Sequence, residues 1–200
     1  MPTETTQLPV VLFPLLVLFT IGQRLLELLR SRHNQATMRT EGFARVDSAW
    51  SYLFMVAVHA TWFVAMLTEH WLIPSEMPNT VAWLALAVFW CAQMLRVWAI
   101  RSLGSQWNVQ VMTPAGRESP RDVVADGPYR YVRHPNYLAV MLEFFTLPLV
   151  GGAPVTAVAW SFMNGVVLFF RIRDEESHLR QRPGYDTRFA QVPCLIPRLW

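Results

Sequence analysis

The run Gly127-Pro128-Tyr129-Arg130-Tyr131-Val132-Arg133-His134-Pro135-Asn136-Tyr137 gathers guanidiniums, phenols and an imidazole directly before an apolar segment. Pro135 suits the first position of a helix, where its fixed φ fits and its missing N–H has no partner to lose. His134 and the preceding loop would then stand at the mouth of that helix. Free N–H groups and a partial positive charge at a helix start suit a carboxylate or a phosphate. Two readings stand side by side: a polar pocket at a membrane surface, and an Arg-rich juxtamembrane loop that only sets topology.

A second group of reactive types is Arg171-Ile172-Arg173-Asp174-Glu175-Glu176-Ser177-His178-Leu179. If the preceding apolar helix continues through it, Asn164, Leu168, Arg171 and Glu175 share one stripe. Arg171 and Glu175 are then one turn apart. The base precedes the acid, which is the weaker order for helix stability, so stabilising the helix is a poor reason for the pair. The bland reading is an interfacial anchor followed by a solvated charged turn. Glu143 is a carboxylate within an apolar run, seven residues after Asn136 on the same helix face. An unpaired charge there is costly, so it is either functional or paired. His59, also in an apolar run, reads first as a group that hydrogen-bonds between helices. Glycine-rich phosphate loops, zinc-ligand spacing and a Ser/His/Asp order are all missing.

These groups must be positioned by membrane helices. Of the 200 residues, 53% are hydrophobic and 16% charged, nine are Trp, and the apolar residues come in long runs. The fold class expected is all-α: a polytopic membrane protein with five transmembrane helices, the last two forming a hairpin, and a cytoplasmic cofactor pocket. The first span runs from Leu8 to about Leu29, with Arg24 and Glu27 in last turns that can reach the interface. Arg30 to Asp47 reads as a loop. The second span is about Ser48 to Trp71 and the third about Thr80 to Ile100. A long polar segment, Ser102 to Arg133, follows. Asn136–Val150 and Val155–Phe170 form the hairpin around Gly151-Gly152-Ala153-Pro154. No secretory signal is evident, and Cys91 reads as a buried free thiol.

All seventeen basic residues are arginines, and, apart from Arg24 and Arg96 near the ends of spans one and three, their blocks fall after span one, after span three and after the hairpin. The intervening loops carry none. An outside N-terminus with a cytoplasmic C-terminus and site satisfies the positive-inside rule. This blocked distribution also argues against nucleic acid as partner, despite the net charge of +3. No metal is expected. The composition, rich in Arg, Ala and Trp, fits a high-GC bacterial genome and hence a cell inner membrane.

The motifs, in order, resemble the isoprenylcysteine carboxyl methyltransferase family of integral membrane enzymes. They are Leu103-Gly104-x-x-Trp107, Gly127-Pro128-Tyr129, Arg133-His134-Pro135-Asn136-Tyr137, Arg171-Ile172-x-x-Glu175-Glu176-x-x-Leu179 and Gly184-Tyr185 with Val192-Pro193 and Ile196-Pro197. The resemblance covers about residues 96–200, the catalytic region of a single domain whose residues 1–95 supply the N-terminal spans. It implies S-adenosylmethionine as methyl donor, bound outside any Rossmann fold. By position, Asp122, Val123, Val124, Tyr129, His134, Pro135, Asn136, Tyr137 and Glu175 would bind the donor, and Arg171 would face the acceptor. The implied reaction methylates a carboxylate or hydroxyl oxygen of a lipophilic isoprenoid or long-chain molecule. Two alternatives share parts of the pattern. Phospholipid N-methylation is a fold analogy. NADPH-dependent reductases of sterol-like lipids resemble the Arg133–Tyr137 motif, but carry an acid where this chain has Val140.

Overall fold

The computed structural model describes residues 11–73, 75, 77–114 and 121–196. The expected span start at Leu8, Pro74, Arg117, Pro197 and Arg198 lie outside the described residues. The elements are α1 (Leu12–Thr40), β1 (Phe43–Arg45), α2 (Ala49–Leu72), α3 (Asn79–Leu103), β2 (Met112–Pro114), α4 (Pro135–Val150), α5 (Pro154–Leu179) and α6 (Tyr185–Phe189). Helices α1, α2, α3 and α5 are long and apolar enough to cross a membrane, and α4 is a shorter apolar helix. Their outward faces carry exposed Leu18, Leu26, Leu84, Phe162 and Phe169. Such a surface suits lipid and not water. The protein is an all-α integral membrane protein with α4 and α5 as its hairpin.

Residues 30–47 depart from the loop expected there. Helix α1 continues to Thr40, and a turn at Gly42 leads into the short strand β1, which pairs antiparallel with β2, Phe43 opposite Pro114 and Arg45 opposite Met112. The physical reason is a helical stripe that holds the polar end of α1 against the protein. Glu27, Ser31, Asn34 and Met38 are all buried, at intervals of four, three and four. Asn34 Nδ2 donates to the Trp107 carbonyl at 2.7 Å, and Ser31 Oγ accepts from Val109 N–H at 3.0 Å. Arg24 and Glu27 are therefore mid-helix and turned inward, not at a helix end reaching for the interface. Cys91, expected to be buried, is exposed on the outer face of α3.

Helix α2 packs chiefly on α5, and α3 on α4. At the centre, the rings of Trp62 and Phe144 stack at 4.2 Å with 8° between their planes, beside buried Met66, Phe89 and Leu147. In lipid, such contacts act through close packing more than through expelling water.

Helix α4 has 16 residues and so is about 24 Å long. Its turn into α5 is pinned at the level where α2 ends. The Glu69 carboxylate accepts from Val155 N–H at 2.9 Å and Thr156 N–H at 2.7 Å, capping α5 from another helix. His70 Nδ1 lies 2.6 Å from the Gly151 carbonyl. Gly151 itself lies flat on the Phe13 ring, where a Cβ would fall 2.5 Å from ring carbons. With 16 residues α4 is shorter than α2, which has 24, and α5, with 26, is roughly three turns longer than α4.

Candidate active site

The site begins at Gly127. Its φ is +61°, and a Cβ there would fall 2.3 Å from Ser102 Oγ, so only glycine lets this turn close on α3. A 3-10 turn over Gly127–Arg130 buries Pro128 and Tyr129. Arg133 and His134 then donate their backbone N–H groups to the carbonyls of Pro193 (2.9 Å) and Cys194 (3.1 Å). The tail of the chain thereby straps the loop in place. Helix α4 starts at Pro135, as its residue type predicts. The anion-binding mouth expected there is partly consumed, because the N–H groups of Tyr137 and Leu138 both turn onto the His134 carbonyl at 3.1 Å.

The side chains converge on a cavity of ≈ 510 Å³. Val123, Val124, Tyr129, His134, Asn136, Tyr137, Arg171 and Glu175 all line it. Asp122 does not: it is exposed, and its carbonyl accepts from Gln106 Nε2 at 3.1 Å. Pro135 is buried behind the wall, holding the helix start. The stripe on α5 is present through Leu168, Arg171 and Glu175, while Asn164 is buried away from the cavity.

The adjacent acids Glu175 and Glu176 differ sharply in what they have left to offer. Glu176 accepts from His134 Nε2 at 2.8 Å, from Tyr185 OH at 2.8 Å and from Arg133. Its carboxylate is committed to protein. Glu175 accepts from Tyr137 OH at 2.7 Å, and its side chain is 27% exposed on the cavity wall. It therefore keeps acceptor capacity for a ligand. The His134 and Tyr137 rings stack at 5.4 Å with 15° between planes, giving a flat aromatic surface beside it. Burial pushes the phenols of Tyr129 and Tyr185 well above the usual tyrosine range, and the bond to Glu176 adds to this at Tyr185. Both stay neutral.

Arg171 is buried, and its Nη2 donates to the Val109 carbonyl at 2.8 Å. Its Nε and Nη1 close no well-formed hydrogen bond among the described residues, although the Tyr137 hydroxyl stands near enough to interact with the guanidinium. No ion pair joins it to Glu175; instead Tyr137, whose hydroxyl donates to Glu175, interacts with both groups.

Sequence reasoning missed a charge cluster deeper in the helices. Arg96 binds Glu27 through Nε at 2.7 Å and Nη2 at 2.5 Å. Arg24 binds Glu27 at 2.9 Å and also Glu143, which resolves Glu143 as a paired carboxylate. Arg24, Glu27 and Arg96 face the cavity. Charges inside apolar helices were the available signal, but their pairing spans 69 to 119 residues of chain. His59 also differs from expectation. Its Nδ1 bonds the Met55 carbonyl of its own helix at 2.9 Å, and across helices it meets only the edge of the Phe144 ring, at 4.8 Å and 77°.

Three comparisons bear on this arrangement. The model of the isoprenylcysteine carboxyl methyltransferase family matches residues 83–181. The uncharacterized protein YpbQ of Bacillus subtilis (strain 168) is 33% identical over 171 residues, covering 85% of this chain and 98% of that protein. The structure of the eukaryotic intramembrane Ras methyltransferase, isoprenylcysteine carboxyl methyltransferase, superposes with a TM-score of 0.58 at 23% identity. That likeness, which is one of fold, covers 76% of this chain and 54% of the other, so the chain spans about half the length of that structure.

Proposed function

This chain belongs to the isoprenylcysteine carboxyl methyltransferase family, and on that premise we propose that it transfers a methyl group from S-adenosylmethionine to a carboxylate or hydroxyl oxygen of a lipophilic acceptor. One observation carries the reading. A carboxylate with spare acceptor capacity, Glu175, and a buried guanidinium with spare donors, Arg171, stand one turn apart on the wall of one cavity. A cationic donor and an anionic acceptor need that pairing of opposite hosts.

The residues present fit the donor. Glu175 would hold its ammonium or ribose, and the stacked His134 and Tyr137 rings would cover its flat or cationic parts. Val123, Val124 and Tyr129 would line its adenine end. When bound, S-adenosylmethionine supplies an activated methyl on a sulfonium: an O–C bond forms as the S–C bond breaks, and one positive and one negative charge disappear.

The chain's own contribution is alignment and electrostatics. Arg171 would keep the acceptor oxygen ionised and aimed through charge-assisted hydrogen bonds. Arg171 is buried away from water, so loss of both charges in the transition state is favoured over their separation. Glu176, through its bonds to His134, Tyr185 and Arg133, would hold the donor wall rigid. The acceptor's apolar part would enter from the bilayer between α1 and α2. There Leu25 is 57% and Val56 41% exposed while both line the cavity. The Arg-bearing loops and the site would face the cytoplasm, with the N-terminus outside, in a bacterial inner membrane.

Binding to the folded state raises the melting temperature. The detergent-purified protein should be stabilised by S-adenosylmethionine and by its demethylated product. Arg171→Ala should keep that stabilisation and lose methyl transfer to lipophilic acids and phenols. A response to NADPH, with none to S-adenosylmethionine, would overturn the proposal.

A further inference from the structure

Most of the polar groups at the membrane end of the cavity bond one another, although Arg24 Nε, Arg96 Nη1 and Glu143 Oε1 have no partner among the described residues. Arg24 Nη1 and Nη2 go to Glu27 and Glu143, and Glu27 is further held by Gln23 at 3.1 Å and by Arg96. The unpartnered acceptors of Gln23 and Glu143 lie off the cavity wall, whereas His59 lines it. A carbonyl oxygen can only accept, so the 2.9 Å contact to Met55 assigns the proton of the neutral ring to Nδ1. Nε2 is then a lone-pair acceptor. It has no hydrogen-bond partner among the described residues, and its side chain lines the cavity among Met55, Val56, Ala60, Phe63 and Ile21. The edge contact with Phe144 fixes the ring. The guanidiniums of Arg24, Arg96 and Arg171 line the same cavity, and a rigid, unspent acceptor held there away from water discriminates strongly between ligands that can donate to it and ligands that cannot.

We propose that this end of the cavity is an acceptor subsite in which His59 Nε2 accepts a hydrogen bond from a hydroxyl of the lipophilic substrate, so that hydroxyl-bearing apolar molecules are selected over their ether or hydrocarbon counterparts. The proposal rests on reading the cavity as the methyl-acceptor site. It adds a specificity residue from α2, in the part of the chain that precedes the family match at residue 83.

The test uses the full chain in detergent and two probes of nearly equal shape, farnesol and farnesyl methyl ether. Affinities come from thermal-shift titration. One hydrogen bond in such a setting is worth about tenfold in binding, so farnesol should bind about tenfold more tightly than the ether. His59→Phe, which keeps a ring against Phe144, should abolish the difference. His59→Gln, whose amide oxygen reaches the position of Nε2, should retain most of it. Equal binding of the two probes to the parent protein, a preference that survives in His59→Phe, or no binding of either probe overturns the proposal. A cooperative melting transition verifies that each variant is folded, and stabilisation by S-adenosylmethionine is read on the same preparations. If that stabilisation is present and the alcohol preference absent, the subsite fails and the methyltransferase reading stands. If the preference is present and the stabilisation absent, the reverse holds.

Discussion

Replacing Arg24 with methionine isolates the cost of an unpaired carboxylate among the helices. Methionine keeps most of the arginine stem's volume, so packing changes little. Two acids lose a partner, but not equally. Glu27 retains both bonds from Arg96, at 2.7 and 2.5 Å, and one from Gln23. Glu143 is 1% exposed, and Arg24 is the hydrogen-bond partner the structure gives its carboxylate. Removing one member of a buried ion pair typically costs about 3–5 kcal/mol. For a chain of this size that corresponds to a fall of roughly 6–20 °C in melting temperature, at about 2–4 °C per kcal/mol. Glu143→Gln should cost less, because Arg24 keeps Glu27. The double variant should recover much of the loss, giving a coupling energy of about 2 kcal/mol or more in a double-mutant cycle. Melting curves of the four proteins in one detergent decide it. A loss below about 1 kcal/mol for Arg24→Met, or additive single losses, would refute the assignment of Glu143 as a carboxylate held by Arg24.

Glu175→Gln should weaken stabilisation by S-adenosylmethionine about tenfold or more in apparent affinity, since a charge-assisted bond is worth about 1.5–3 kcal/mol. Glu176→Gln should lower the melting temperature of the unliganded protein more than Glu175→Gln does, because it serves His134, Tyr185 and Arg133 at once. Gly127→Ala should destabilise by about 1–3 kcal/mol in the same melts, from a left-handed φ and the overlap with Ser102. Raised folded-state pKa values at Tyr129 and Tyr185 mean that their contribution is complete below the unfolded tyrosine value of about 10 and fades as pH rises above it. Tyr185→Phe should therefore flatten the loss of stability above about pH 10, read from melting temperature against pH.

Much of this architecture is legible in residue order because apolar runs, glycine pairs and arginine blocks are local signals. Spans two and three, the hairpin turn at Gly151-Gly152, the helix start at Pro135 and the continuation of α5 through Glu175 all follow from neighbours in sequence. The charged end of α1 was harder to see, since Arg30, Arg32 and Arg39 disguise a buried stripe of Glu27, Ser31, Asn34 and Met38. Three-residue strands such as β1 and β2 leave no periodicity to detect. Of the residues singled out for the site, eight share the cavity, while Asp122 stays outside it and Pro135 behind its wall. The roles of Arg24, Arg96 and His59 depend on partners or openings created only when distant helices meet. Residue type could flag them as unusual without saying what they face.

The bonds from Arg133 and His134 to the carbonyls of Pro193 and Cys194 set an order of events in synthesis. When the ribosome has finished α5, helices α1 to α5 are all made, yet two backbone donors at the mouth of the cavity still await acceptors some sixty positions downstream. Until those residues leave the exit tunnel, the loop from Gly127 to His134 is held from one side only. This side of the cavity can thus close only after α1 to α5 have been made.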